Sequence, residues 1–384
     1  KEETVKPQAL PTASAPAVPF DRRWLTPFFT DGPLAQAAQR LSALAPGPAA
    51  TATAGATSEA AAILKLLADA DAGTSTDVHV RYLLALAELK TAQAAGSAEQ
   101  AAIGSRAAEH FLELRKSYPL LASYHTLNAA RALEVAGRLD DALTRAKEVP
   151  ADSVLDCETR YLRAEIYRQK AEREPIPATA GKPSSKFPKA LMTAGARTAA
   201  TNEYRALRAA CPSSHRHEVE WRLAELLDSL GLGGEAQKLW RRLYIEAAHE
   251  KYAAIAEKKL EQPPQGVPPA PAFTAAELLE RAQVLFDQMR NPESEAAYRW
   301  VLTLPDLDVA QACTARYNLA QSVFKQRKRA RAAPLFDDAV VACGATGAKN
   351  DDLHMKALYQ AARCHANAGA LQKAADLFAL AESA

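Results

Sequence analysis

Residues 319–336 read LAQSVFKQRKRARAAPLF and contain the parts of one helix–turn–helix unit. The small residue Ala320 lies in the first half, a basic stretch follows, and Ala332 precedes the aromatic Phe336 by four positions. Small residues let two antiparallel helices approach closely, and the aromatic side chain fills the gap to the next pair of helices. The stretch therefore predicts one helical hairpin.

The spacing of an alanine and an aromatic residue four positions later recurs along the chain. The pairs are Ala200/Tyr204, Ala236/Trp240, Ala296/Trp300, Ala332/Phe336 and Ala374/Phe378. Their aromatic residues are 36, 60, 36 and 42 positions apart, close to the tetratricopeptide period of about 34 residues. The pattern resembles a degenerate form of the tetratricopeptide family over most of residues 120–384, and more loosely over 57–119.

Composition agrees with this fold class. The 384 residues are rich in alanine and include only 16 glycines, 10 phenylalanines and 4 tryptophans, which favours helices over sheets. The prediction is an all-α protein, a superhelical array of antiparallel helical hairpins of the α-solenoid type. An irregular helical bundle is the alternative. We expect the repeat aromatics Trp240 and Trp300 to be fully buried, so that replacing either by alanine costs about 3 to 5 kcal/mol.

Net charge and hydropathy argue against nucleic-acid binding and against a membrane-spanning helix. Lys and Arg number 47 against 45 Asp and Glu, a formal charge of +2, so no global field attracts nucleic acid. No run of about 18 apolar residues occurs, which argues against a transmembrane helix. No motif points to a cofactor, and none is predicted.

Proline and glycine divide the chain into four parts. Residues 1–19 resemble a disordered or extended tether left after removal of a signal segment, although an artificially trimmed start would look the same. Helical repeats are predicted over 20–262 and 273–384, with 263–272 as a Pro-rich linker between them. A surface loop is expected over 174–189. Capping boxes are expected at Ser97 to Gln100 and at Thr274 to Glu277.

The five cysteines occupy informative places in the repeat. Cys157 and Cys313 each precede a small residue of a first helix by seven positions, and Cys211 and Cys343 each follow a repeat aromatic by seven. The start of the first helix and the end of the second lie at the same end of a hairpin, so Cys157/Cys211 and Cys313/Cys343 could form disulfides. Cys364 would remain single and buried. Burial of each cysteine as a small apolar residue is the alternative.

Two clusters of charged or titratable residues are candidate binding sites. A basic turn could contact an anion or an acidic partner, or could simply be solvated; its cations are Lys325, Arg327, Lys328, Arg329 and Arg331. His215 and His217 could offer imidazoles to a metal, but no third ligand stands at helical spacing, so a solvated turn is the better interpretation. The common catalytic motifs are missing, and no catalytic or metal-binding residue is predicted.

The entry segment Trp24 to Phe29, the Ala-rich hairpins and endings such as Ala374 to Phe378 resemble the N-terminal superhelical region of bacterial soluble lytic transglycosylases. The resemblance implies a non-catalytic region that holds peptidoglycan glycan strands in its concave surface, with a catalytic domain following Ala384. The family's Glu-Ser and Gly-Leu-Met-Gln signature is missing, and no role is carried onto Glu382-Ser383.

The alternative function is a tetratricopeptide-like adaptor that binds a protein partner in an envelope or secretion assembly. Disulfides would agree with either function in an exported protein, so the predicted location is the periplasm.

Overall fold

The computed structural model describes residues 31–44, 54–70, 72–73, 75–174, 195–213, 215–263, 267–305, 307–346 and 351–383. Within these ranges the secondary structure is helical, with no strand. The predicted tether, the 24–29 entry segment and most of the 174–189 loop lie outside them. The chain forms two compact units, which divide between Ser214 and His215.

Unit 1 comprises the described residues from Asp31 to Glu174 and from Gly195 to Ser213. Its helices are α1 Gly32–Ala43, α2 Ala54–Asp69, α3 Val78–Ala94, α4 Ser97–Ser117, α5 Ala122–Val135, α6 Leu139–Lys147, α7 Asp156–Arg173 and α8 Ala196–Ala210. A short 3₁₀ turn, Pro119–Leu121, joins α4 to α5.

Unit 2 comprises the described residues from His215 to Ser383. Its helices are α9 Arg216–Ser229, α10 Gly233–Glu246, α11 Lys251–Glu261, α12 Ala275–Asp287, α13 Asn291–Val301, α14 Val309–Lys325, α15 Arg329–Gly344, α16 Asp351–Asn367 and α17 Leu371–Ser383.

Each unit is an array of antiparallel helical hairpins of the α-solenoid type. Successive helices pack against each other, and the first helix of a hairpin also contacts the first helix of the next, as in α3 with α5 or α12 with α14. Helix α11 is an addition to the alternating pattern and packs on α10. The predicted fold class is therefore confirmed.

Most repeat pairs occupy the core where the sequence placed them; Phe378 is only partly buried, and the pair on α13 is the exception. Ala236/Trp240 and Ala332/Phe336 are at most 2% exposed. On α13, however, Trp300 is 45% exposed, and the buried residues are Ser294, Tyr298 and Val301. The prediction of a buried Trp300 is wrong because two small–aromatic pairs compete on this helix, and packing selects Ser294/Tyr298.

Ser294 shows why α13 turns this face inward. Its Oγ lies 3.3 Å from the carbonyl oxygen of Ala282 and 3.0 Å from the Oγ of Ser322, and both serines are fully buried. This contact ties α13 to its own hairpin and to the next one. A buried hydroxyl requires such partners.

The Pro-rich segment packs within unit 2. The Gln237 side chain donates to the Pro268 carbonyl, and the Arg241 guanidinium donates to the Pro271 and Ala272 carbonyls. A Cβ on Gly233, the first residue of α10, would lie 2.3 Å from Val267, so the segment approaches this helix too closely for a larger residue. The compact units divide between Ser214 and His215, and the predicted linker at 263–272 stays a prediction.

Helix starts show the expected capping chemistry in part. The capping box of Thr274 with Glu277 is present. Helix α4 begins at Ser97 with Gly96 as its N-cap; the side chain of Ser97 lies outside what the structure describes, so the box at that residue stays a prediction. A box that the sequence analysis missed starts α14, where Asp308 pairs with Gln311.

Candidate functional site

An open cleft of about 550 Å³ lies beside the turn between α14 and α15 in unit 2. One wall is the turn with the start of α15, and the other is the C-terminal end of α16. The lining residues are Arg327, Lys328, Arg329, Ala330, Arg331, Cys364, Asn367 and Ala368. Four of the five predicted basic residues therefore gather around one cavity. Lys325 is the exception.

A left-handed residue shapes the basic turn. Arg327 has φ 63°, and its amide donates to the Phe324 carbonyl while the Lys328 amide donates to the Val323 carbonyl. This is the hydrogen-bond pattern that closes a helix with a left-handed residue after it, where glycine is usual. The position carries a side chain here at a conformational cost of roughly 1 kcal/mol.

The same turn occurs in other hairpins of the chain. Left-handed φ values are found at Gly137, Gly231, Met289, Arg327 and Gly369, in each case directly after the first helix of a hairpin. Three of these residues are glycine. An alignment of the hairpin turns would identify Arg327 from the sequence, because glycine occupies this position in three of the five turns.

Three cations of the basic run have partners in the protein. Lys325 Nζ lies 3.5 Å from the centroid of the Phe286 ring. Lys328 donates to the Gln326 amide oxygen, and Arg331 pairs with Glu295 at 2.9 Å. These contacts spread the run over two neighbouring hairpins.

Glu295 lies at the centre of the neutralised part of the run. Burial acts to raise the pKa of this carboxyl, but the hydrogen bonds from Gln326 and Arg299 and the charge of Arg331 hold it below its ordinary value. Glu295 is therefore a carboxylate that already serves several donors. It has little capacity left for the remaining cations.

Arg327 and Arg329 have no hydrogen bond or ion pair with any described residue, and both are exposed. The negative charge of Asp337 acts on the Cys364 thiol in the α16 wall. This carboxylate is already bound by His365 at 3.0 Å and by Lys373 at 2.6 Å. The cleft therefore presents two guanidinium groups without a partner among the described residues, Arg327 and Arg329, beside Lys328, whose acceptor Gln326 is neutral.

Cys364 lies in the wall of this cleft but is only 1% exposed. Burial raises the pKa of its thiol, and the charges of Arg363 and Arg329 offset only part of the effect. The residue is a free cysteine. It remains a protonated thiol that packs in the core.

The structure contains the two disulfides that the repeat positions suggested. Cys157 and Cys211 are bridged with a Cα–Cα distance of 5.8 Å, and Cys313 and Cys343 with one of 4.6 Å. Each joins the start of a first helix to the end of the second helix of the same hairpin. In unit 2 the bridge closes the end of the α14–α15 hairpin opposite the basic turn.

The two histidines considered as metal ligands have different surroundings. His217 Nδ1 lies 2.6 Å from Glu250 Oε1, and His249 Nε2 is 3.6 Å from the same oxygen. His215 precedes α9 with a left-handed φ of 47°. Across the described part of the chain, no group of three or more His, Cys, Asp or Glu side chains could hold a metal ion. No described helix has the length and apolar content needed to cross a membrane.

Comparisons with known proteins leave the family open. No protein-family model and no curated protein matches the chain. Among solved structures, the apo form of the quorum sensor NprR from B. thuringiensis is similar, with 11% identity and a TM-score of 0.26 over 86% of this chain and 97% of that one. A similarity this low supports no conclusion about function. What the fold and the cleft define is a class: an all-helical hairpin protein with disulfide bridges and a cationic surface cleft.

Proposed function

We propose that this chain is an exported, non-catalytic scaffold of helical hairpins that holds a segment of a protein partner. The observation that carries the proposal is the cleft of unit 2, where Arg327 and Arg329 keep their charge available beside an open cavity. Arrays of helical hairpins commonly present such surfaces to other proteins. Cofactor or metal chemistry is not needed for this role.

The two disulfides support an exported location. Disulfides persist in oxidising compartments such as the bacterial periplasm and are rare in the cytosol. The bridges also hold hairpins in one conformation, which lowers the entropic cost of binding. Periplasmic residence is part of the proposal.

Trapping the thiols in living cells tests the export. Cells that produce the protein are treated with acid and a thiol-alkylating reagent, and the modified cysteines are mapped by mass spectrometry. We expect Cys364 alone to react once the protein is unfolded, because the other four cysteines are bridged. Alkylation of all five would contradict the oxidising location.

A second candidate function is the superhelical region of a lytic transglycosylase that binds peptidoglycan. The observation that favours it is the exposed indole of Trp300, together with the half-exposed ring of Tyr359. Aromatic faces are suitable platforms for sugar rings. The candidate otherwise depends on the sequence resemblance, and catalysis would need a domain outside this chain.

Two binding measurements with the purified, oxidised chain separate the candidates. Saturable binding to some members of a peptide array that varies in charge and hydropathy, without co-sedimentation with purified peptidoglycan, supports the protein scaffold. Saturable co-sedimentation that is lost in Trp300→Ala supports the peptidoglycan candidate. The Trp240→Ala substitution is unsuitable as a control because Trp240 is buried, so Trp221→Phe, on a different helix, serves instead.

A further inference from the structure

The residue at the left-handed position of each hairpin turn can be compared between hairpins, and in the α14–α15 turn it differs from the usual glycine. Glycine occupies it at Gly137, Gly231 and Gly369, with φ between 73° and 81°. Arginine occupies it in the turn that borders the cleft, with φ 63°. A side chain held in a costly backbone conformation is often connected with function.

Met289 shows that a side chain at this position can also have a local reason. Met289 has φ 59°, and its Sδ lies 3.8 Å from the Lys325 Nζ of the following hairpin. Arg327 makes no comparable contact with any described residue. Its guanidinium is exposed at the rim of the cleft and is available to a ligand.

The groups around the cleft select an anion with more than one charge. Arg327, Lys328 and Arg329 bring three positive charges to the rim, while Arg331 is already paired with Glu295. Among the residues that the structure describes, no acidic side chain lines the cavity.

We infer that the cleft beside the α14–α15 turn binds an acidic segment of the protein partner, with carboxylates paired to Arg327 and Arg329. The inference rests on the proposed scaffold function and names the chemistry of its partner. An opening of about 550 Å³ accommodates a few side chains of an extended peptide. Planar guanidinium groups bind carboxylates in a bidentate manner, which favours this partner chemistry.

The test measures binding of a short fluorescein-labelled poly-glutamate peptide by fluorescence anisotropy. The variants are Arg327→Gly, Arg329→Gln and the matched control Met289→Gly, all made in the full oxidised chain. Arg327→Gly and Met289→Gly relieve the same left-handed strain, so each should raise the midpoint of thermal unfolding by about 2 °C. Only the substitutions at the cleft should weaken binding.

We expect Arg327→Gly and Arg329→Gln each to weaken peptide binding about threefold to fivefold, as exposed ion pairs do. Binding should also weaken as ionic strength rises, and Met289→Gly should bind like the unmodified protein. The diagnostic result is an Arg327→Gly protein that is more stable and binds less well. A structural role for Arg327 would instead lower stability when the side chain is removed.

Three results would overturn the inference. The first is unchanged peptide binding by both cleft variants. The second is displacement of the peptide by inorganic phosphate at equal concentration, which would identify a small-anion site. The third is sedimentation with peptidoglycan that depends on Arg327 while the peptide does not bind. If the peptide array shows binding only to neutral or basic peptides, the acidic partner is excluded and the proposed scaffold function stands. If no peptide binds, the inference and the proposed scaffold function both fail.

Discussion

Units 1 and 2 bury a polar ring in different ways. In unit 1, His125 is 1% exposed among Tyr82, Phe111 and Tyr118, and neither ring nitrogen has a hydrogen-bond partner among the described residues. In unit 2, Tyr298 is fully buried, but its hydroxyl donates to Gln283 and accepts from Asn318.

The difference determines how these two rings respond to pH. Burial lowers the pKa of His125 to about 4, so its protonation in the unfolded state competes with folding in mildly acidic solution. Burial raises the pKa of Tyr298, and the Asn318 hydrogen bond only partly offsets this. That phenol is neutral at physiological pH in the folded and the unfolded chain, and it carries no such cost. Between about pH 6.5 and 4, His125 should therefore make unit 1 sensitive to acid.

The largest expected losses of stability come from removing buried aromatic side chains, and they should be similar in the two units. Phe111 and Phe336 are each fully buried, so Phe111→Ala and Phe336→Ala should each lower the free energy of unfolding by about 4 kcal/mol. Trp300→Ala, at an exposed position, should cost less than about 1 kcal/mol. Denaturant titration measures these changes. A cost for Trp300→Ala similar to that of Phe336→Ala would contradict the orientation of α13.

The disulfides give a second comparison, with one bridge in each unit. The sequence separations are 54 for Cys157/Cys211 and 30 for Cys313/Cys343. In the chain-entropy account, replacing either pair by serine should cost about 2 to 4 kcal/mol, and the unit 1 pair about 0.5 kcal/mol more. Chemical unfolding under oxidising conditions measures the difference. An excess of several kcal/mol for one pair would show that the bridges do not act mainly on the unfolded chain.

Acid titration tests the unit difference directly. The folded-state pKa of His125 lies below its unfolded value, so the contribution of this residue to stability should fall as pH decreases from about 6.5 to 4 and then stay constant, with a loss of up to about 3 kcal/mol. His125→Phe should abolish this part of the pH dependence. His354→Phe, in unit 2, is the comparison substitution. An unchanged acid profile in His125→Phe would contradict the assignment.

The smallest expected changes in stability come from removing a buried tyrosine hydroxyl, and they compare a charged with a neutral hydrogen-bond acceptor. The Tyr204 hydroxyl of unit 1 donates to the Glu165 carboxylate, whereas that of Tyr298 donates to an amide. Tyr204→Phe should therefore cost about 2 kcal/mol and Tyr298→Phe about 1 kcal/mol. After the latter change, Asn318 still donates to Gln283 at 2.9 Å. Equal costs, measured by thermal unfolding, would show that the charge of Glu165 is immaterial.

Much of the candidate site was predictable, because the basic residues lie close together in sequence. Their different roles were not. Arg331 is neutralised by Glu295, a residue 36 positions away, and Lys325 packs over Phe286 of the previous hairpin. Cys364 and Asn367 close the other wall from α16. Contacts between hairpins of this kind depend on the packing of neighbouring repeats, which a local sequence pattern does not specify.

The sequence by itself determined the helical class, the alternation of hairpins and the register of the four bridged cysteines. These follow from local periodicity and from repeat spacing, which constrain helices one hairpin at a time.

Only the tertiary structure decided which side of α13 faces inward and which polar rings are buried. Ala296/Trp300 and Ser294/Tyr298 have the same four-residue spacing, but they lie about 200° apart around the helix. The close contact of Ser294 with Ala282 and Ser322 selects one of them. Burial of His125 depends likewise on rings from three neighbouring segments. Such choices reflect packing between elements, where local preferences are nearly equal and contacts distant in sequence settle the free energy.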